Sequence, residues 1–464
     1  MFNKKASLCE GASWRVAGAV MAGLLVVATS VGRPTVALAS TENLSTHSAA
    51  SAGVSFRIRD LIPKQVVANA VMVNGIPMVT GYSFLKWPAI VSKAAVVMDM
   101  NTGVVVYAKA PLARHYPASI TKIMTALLAL QHGRLSQQLT ASALAVHQPA
   151  DKLYQLVGEK HSLGILLKAM LVDSDNDVAV EIAQNLAGNV PDFVEWMNRA
   201  ANALGATHTH FANPSGLQQT DHYTTAYDMA LIARAAMQVP EFRKMVRTKR
   251  MEWHGLAWHA LLVNLNPFLF NYSGAVGVKT GYTNEAKETL VVAAKRDHQE
   301  FLAVLMDCPL NAQIQQDATN LMNYAFAHDA TQTLLTKGQT VASETSPLGV
   351  KIPLIATESV VATVPLGEHL QVLAKQVDAA PRNWPEPAGG PAGHAELMLS
   401  GPPSNPLSVP LAYASAWEVP TKKPAHALVG RLAGYLLLAA LLALTEYVRR
   451  SGRNRARQRR GTRL

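Results

Sequence analysis

The sequence predicts an α/β unit, then a small β-rich domain, then a C-terminal transmembrane helix. Three observations carry this reading. From about residue 94 to 330, short β-branched runs alternate with apolar positions at helical spacing. Beyond about residue 340, only short strand-like runs remain, separated by Pro and Gly clusters. An apolar stretch at residues 427–448 then leads into an arginine-rich end.

Taken in order, residues 1–39 read as a secretory signal peptide: a basic start, an apolar run from Val16 to Val31, and Ala37-Leu38-Ala39 before Ser40. Residues 40–85 are expected as leader and linker, opening with the small polar "STENLSTHSAASAG". Residues 86–330 form the main unit. In it "AAVVMDM", "NTG" and "VVVYAK" predict strand, turn and strand, and helical patterns follow around 118–132, 162–188, 191–204 and 224–238. "GAVGVKTG", "ETLVVAAKR" and "EFLAVLMDC" predict successive strands, and a helix over about 311–328 closes the unit. Residues 340–420 supply the β-rich domain through "VKIPLIA", "SVVATVP", "LQVLAKQV", "AELMLSG" and "SVPLAYASAW". The span at 427–448 is long enough to cross a bilayer, with 449–464 as a basic tail. By the positive-inside bias that tail lies in the cytoplasm, which places the chain as a single-pass protein of the cell membrane with its main unit on the extracytoplasmic face.

With 49% hydrophobic and 16% charged residues, the chain can bury a large core. Its net charge of +11 is concentrated at the ends. Eight arginines against Glu446 give the last 19 residues +7, and Lys4, Lys5, Arg15 and Arg33 against Glu10 give the first 39 residues +3. One net charge is left for everything between, so nothing advertises a nucleic-acid partner. The cysteines are Cys9 and Cys308; Cys9 would leave with the signal, so the mature form has no intrachain bridge and Cys308 reads as a buried hydrophobe. His208, His210, His254 and His259 have no Cys or acidic partner at a metal spacing, and no glycine-rich phosphate loop occurs, so no metal or cofactor is expected.

Chemistry enters at "RHYPASITKIMTALLALQ", where Ser119 and Lys122 stand three apart. A serine hydroxyl needs a base within hydrogen-bond reach, and a lysine serves only if burial or a nearby cation keeps it neutral. A helix makes residues i and i+3 neighbours. The same spacing at Ser83 and Lys86 fails, because Trp87 and Pro88 follow and the chain before a proline is biased away from helix. Ser119 passes: Pro117 suits a helix start, and the first turn can hold an oxyanion on its unpaired N–H groups. Downstream, "DSDND" puts Ser174 and Asn176 at the junction of two helical stretches, where a hydroxyl and an amide can relay protons and orient a substrate amide; a plain helix start explains the same residues. "GVKTGYT" ends a strand with Lys279, Thr280 and Gly281: a cation and a hydroxyl for a carboxylate, and a glycine that lets a peptide approach the backbone.

Ser-x-x-Lys, Ser-Asp-Asn and Lys-Thr-Gly in this order are the set shared by penicillin-binding proteins and serine β-lactamases. With "MDMNTGVVVYAKAPLARHYPASITKIMTALLAL", "GILLKAMLVDSDNDVAVEIA" and "FANPSGLQQTDHYTTAYDMALIAR", the chain resembles the serine-type D-alanyl-D-alanine carboxypeptidases, the low-molecular-mass penicillin-binding proteins. The resemblance implies an α/β catalytic domain of penicillin-binding/β-lactamase type, an antiparallel sheet packed by helices plus a helical lobe. It implies Ser119 as acylated nucleophile, Lys122 as its base, and Ser174 and Asn176 as the second motif. Lys279 and Thr280 would bind the substrate carboxylate, and the N–H groups of Ser119 and Tyr282 would form the oxyanion hole. The implied partners are peptidoglycan peptides ending in D-Ala-D-Ala, β-lactams as acylating inhibitors, and the membrane through the terminal helix. A β-lactamase is the alternative within the same fold, but it needs a deacylating glutamate roughly 35 residues past Ser-Asp-Asn, and "ATHTHFANPSG" has none. A catalytically silent cell-wall binding protein is the third reading.

Overall fold

The computed structural model describes residues 55–79, 87–346, 349–379, 387–401, 405–416 and 426–458. The expected signal peptide, the polar leader at 40–53, and Ser83 with Lys86 lie outside the described residues.

A seven-stranded sheet organises the main unit. Its strands run in the order Ala275–Thr283, Lys287–Arg296, Gln299–Cys308, Ala94–Asp99, Val105–Lys109, Ile76–Val79 and Ala70–Val73. Neighbours are antiparallel except Ile76–Val79 beside Val105–Lys109. Strand alternation divides the side chains between two cores. Val96, Met98, Leu302, Val304 and Met306 face a large helical lobe, while Val97, Phe301, Ala303, Leu305 and Cys308 face the helix Asn311–His328. Both faces being covered, these strands read as nearly continuous apolar runs. Cys308 is one of the buried apolar positions, as expected.

The lobe holds the helices Lys122–His132, Leu163–Asp173, Asn176–Ala187, Val190–Ala203, Ala226–Met237 and Pro240–Val246. The helical pattern over 162–188 is therefore two helices. Ser174 ends the first in the left-handed region (φ 74°), Asp175 is extended, and Asn176 starts the second. A hairpin, Arg250–His254 with His259–Val263, leans on the lobe and was not expected. Its outward positions include Leu261 and Val263, so the strand alternation is not apolar-in and polar-out.

The β-rich domain has a five-stranded antiparallel sheet in the order Thr340–Thr345, Lys351–Ala356, Leu407–Tyr413, Pro391–Leu399 and Val372–Ala379. It packs with a three-stranded sheet of Gln65–Ala68, Ser359–Pro365 and Asp329–Leu335 around Leu354, Val360, Val364, Leu397, Val409 and Tyr413. Residues 65–79 thus correct part of the expected linker: they form three strands, one in this domain and two at the edge of the central sheet. Their pairing is fixed by the turn Asn74-Gly75, with φ 50° and 80°, a conformation that only Asn, Asp and Gly adopt cheaply. At the junction, Thr331 and Thr363 hydroxyls donate to Asp99 Oδ2 at 2.8 and 2.9 Å, which joins the end of a central strand to the β-rich domain.

The helix His426–Gln458 contains a stretch, Leu432–Arg453, long and apolar enough to cross a membrane.

Candidate active site

Pro117 leads into a 3-10 turn, Ala118–Thr121, that continues as the helix Lys122–His132. The expected single helix from 118 is thus a tight turn carrying Ser119, with the α-helix starting at Lys122. The turn begins under strain: Ala118 has φ 51°, a left-handed conformation that costs a non-glycine residue about 1–3 kcal/mol. Gly216 permits it to stand where it does, because a Cβ there would lie 1.9 Å from the Ala118 carbonyl oxygen.

Lys122 is fully buried, and its Nζ has three oxygens within reach: Ser119 Oγ at 2.8 Å, Asn176 Oδ1 at 2.7 Å and the Ser215 carbonyl at 2.7 Å. Burial first, and the Lys279 ammonium second, push its amine well below the usual lysine range, against the opposite pull of Asp175, Asp151 and Asp177. A neutral amine has two N–H donors and one lone pair. With Asn176 Oδ1 and the Ser215 carbonyl taking the donors, the lone pair is left for the hydroxyl proton of Ser119.

The break between the two lobe helices is what delivers Asn176. Its backbone N–H donates to the Asp151 carbonyl at 2.8 Å and its Nδ2 to the Pro149 carbonyl at 3.2 Å, so the amide is gripped from the loop opposite and its oxygen is left pointing at Lys122. Ser174 is buried two residues before it, at the left-handed end of the preceding helix. Asp175, between them, is buried, and burial, then Asp173 and Asp177, raise its carboxyl well above the ordinary range.

The strand Ala275–Thr283 forms the other wall. Gly281 passes so close to the Ser119 turn that a Cβ on it would lie 2.7 Å from Ser119 N and 2.6 Å from Thr289 Oγ1. Thr289, on the adjacent strand, locks the approach: its hydroxyl oxygen lies 2.8 Å from the Pro117 carbonyl and 3.1 Å from the Gly281 carbonyl, so its single proton is donated to one or shared between the two. Lys279 is 1% exposed and donates to the Thr280 carbonyl at 3.0 Å. Burial lowers its amine to about 8, while Asp175, Asp151 and Asp173 hold it up. Thr280 follows on the strand, half-buried, and Tyr282 turns its ring outward, 56% exposed, with its hydroxyl donating to Asn284 Oδ1 at 3.2 Å.

The predicted residues therefore meet as three walls: Ser119, Lys122 and Asn176 in direct contact, Gly281 against the Ser119 backbone, and Lys279 close enough to depress the Lys122 amine. Ser174 and Tyr282 adjoin this centre in the chain. Sequence patterns miss the Ser215 carbonyl, a backbone group with no residue signature, and Thr289, whose only sign is a hydroxyl in an otherwise apolar strand.

A family model described as D-alanyl-D-alanine carboxypeptidase matches residues 83–309. The carboxypeptidase DacF of Bacillus subtilis is 33% identical over 297 residues, 62% of this chain and 76% of that protein. The chain belongs to the D-alanyl-D-alanine carboxypeptidase family. DacA of Haemophilus influenzae, another family member, is 30% identical over 329 residues, 68% of this chain and 82% of that one. Among solved structures, penicillin binding protein 5 from Haemophilus influenzae superposes with a TM-score of 0.62 at 26% identity, over 72% of this chain and all of that one. Like other members of this carboxypeptidase family, the chain is a serine-type enzyme of penicillin-binding type, with an α/β domain followed by a β-rich one.

Proposed function

We propose that this carboxypeptidase removes the terminal D-alanine from peptidoglycan stem peptides through an acyl-enzyme on Ser119, held at the membrane by its C-terminal helix with the catalytic domain outside and the arginine tail inside. The observation that carries the reading is the buried Lys122 amine, with two oxygens placed for its N–H groups and Ser119 Oγ 2.8 Å from its nitrogen. As Ser119 Oγ attacks the carbonyl carbon of the penultimate D-alanine, its proton passes to Lys122 Nζ. The substrate oxygen gains negative charge and is received by the N–H groups of Ser119 and Tyr282. The C–N bond then breaks, the leaving amine of D-alanine takes a proton, with Ser174 as relay, and water later cleaves the ester. The Lys279 ammonium and Thr280 hydroxyl hold the terminal carboxylate, and Asn176 orients both Lys122 and the substrate amide. A β-lactam presents the same carboxylate and a reactive amide, so it acylates the same oxygen.

The test incubates the full-length protein with a labelled penicillin and, separately, with a peptide ending in D-Ala-D-Ala. Stable labelling and D-alanine release, both lost in Ser119→Ala, are expected. Labelling that survives Ser119→Ala would remove the nucleophile, and rapid penicillin turnover would point to a β-lactamase instead.

A further inference from the structure

Behind the Ser119 turn, residues 212–222 make a dense set of buried and half-buried hydrogen bonds that the reaction above does not use. His222 is 1% exposed. Its Nδ1 accepts the Ala212 N–H at 3.0 Å, so the ring proton sits on Nε2 and is donated to Thr121 Oγ1 at 2.8 Å. Thr121 is the last residue of the Ser119 turn, directly before Lys122. One helical turn further on, Thr125 Oγ1 donates to the Pro214 carbonyl at 2.6 Å.

The next carbonyl, that of Ser215, is the one that accepts from Lys122. Its direction is set by Asn213. The Asn213 Oδ1 accepts from Ser215 N at 3.1 Å, Ser215 Oγ at 3.0 Å and Gly216 N at 2.7 Å. Its Nδ2 donates to the Leu217 carbonyl at 2.8 Å and to Gln219 Oε1 at 2.9 Å. One side chain thereby fixes the peptide units on both sides of Ser215, and the neighbouring Gly216 is the residue pressed against Ala118.

We propose that Asn213 and His222 are positioning residues for the Ser119–Lys122 pair, Asn213 through the Ser215 carbonyl that occupies one N–H of Lys122, and His222 through the Thr121 hydroxyl that fixes the end of the nucleophile turn. This rests on the reading of Ser119 as nucleophile and Lys122 as base. Neither residue reaches the strand that would hold the substrate carboxylate. Their loss therefore acts on the acylation step and leaves the preceding non-covalent binding alone, since a base displaced by about 1 Å costs on the order of 10²-fold in rate.

The experiment resolves penicillin acylation of the full-length protein into a non-covalent dissociation constant and a limiting acylation rate, for Asn213→Ala, Asn213→Asp, His222→Ala, Thr121→Val and the His222→Ala/Thr121→Val double variant. The limiting rate is expected to fall about 10²-fold in Asn213→Ala and His222→Ala with the dissociation constant unchanged. Asn213→Asp, which keeps the three bonds accepted by Oδ1, should recover part of the rate. The double variant should be no slower than His222→Ala, because both changes cut one link. Thr121→Val is close to isosteric and keeps the test readable if His222→Ala folds poorly. Wild-type limiting rates, equal losses in binding and rate, or additive effects in the double variant would overturn the inference. Ser119→Ala run in parallel separates the failures: if it still labels, the nucleophile reading falls, and if it is silent while Asn213→Ala acylates normally, only the positioning roles fall.

Discussion

Lys122 Nζ and Asn176 Oδ1 lie 2.7 Å apart, although one heads the helix Lys122–His132 and the other the helix Asn176–Ala187. That contact fixes which charge Lys122 tolerates. A neutral amide oxygen receives an N–H without adding an anion, so burial keeps the amine depressed. Asn176→Asp puts a carboxylate at the same distance and favours the ammonium. The acid limb of the acylation pH profile, where Lys122 loses its proton, should move to higher pH by about 1–3 units. Penicillin labelling rates across pH measure it, and a limb that stays put would show that Lys122 is not the base.

In its proposed role Lys279 sets the other limb. Its amine, lowered to about 8 by burial, must be charged to hold the substrate carboxylate, so binding is expected to be intact below that value and lost as pH rises through it. The dependence of kcat/KM on pH for a D-Ala-D-Ala peptide should therefore fall above about pH 8. In Lys279→Arg the cation persists at every accessible pH, so the alkaline fall should vanish while the maximal rate drops, because a planar guanidinium does not fit a site shaped for an ammonium. A limb unchanged in Lys279→Arg would assign it to another group.

Gly281→Ala tests the close approach of the strand to the turn. The added methyl would sit 2.7 Å from Ser119 N, which forces the strand away from the turn and so from the oxyanion site proposed there. Misplacing one such donor costs about 10²–10³ in kcat. The methyl also meets the buried Thr289 Oγ1 at 2.6 Å, so some stability is lost as well, and acylation measured on the folded fraction should fall by that factor; wild-type acylation would show that this close approach is not needed for the reaction.

Much of this site is legible from side-chain chemistry, and what is not is backbone. Ser119 and Lys122 declare themselves by spacing and by the Pro117 start, and "DSDND" by polarity between two apolar helical stretches. The left-handed Ser174 that separates those helices leaves no such sign, since serine has no preference for that region. The Ser215 carbonyl is invisible for the same reason, although Asn213, which aims it, is a turn-forming residue beside Pro214. In the fold, the strands at 65–79 were readable through Asn74-Gly75 between apolar runs, the strongest short hairpin signal a sequence offers. The hairpin Arg250–His254 with His259–Val263 was not, because outward Leu261 and Val263 blur the alternation.

His222 ties the site to acid stability. Burial lowers its imidazole to about 4, with Asp221 opposing and His210 and Lys122 adding to the fall. The unfolded chain binds this proton at an ordinary histidine value of about 6.5, while the folded chain refuses it until about 4. Stability contributed by the neutral ring is thus complete above about 6.5 and is lost as pH falls toward 4, by about 3 kcal/mol in all. Below that range the folded ring is protonated as well, and the loss stops growing. Protonation also places an N–H on Nδ1 facing the Ala212 N–H, so that bond fails, while Nε2 keeps its proton and still donates to Thr121 Oγ1. Urea midpoints of wild type and His222→Asn at pH 7, 5.5 and 4.5 measure the effect. The variant starts less stable and should lose less on acidification, so the two curves converge as pH falls. Curves that stay parallel would mean that this histidine binds its proton equally well folded and unfolded.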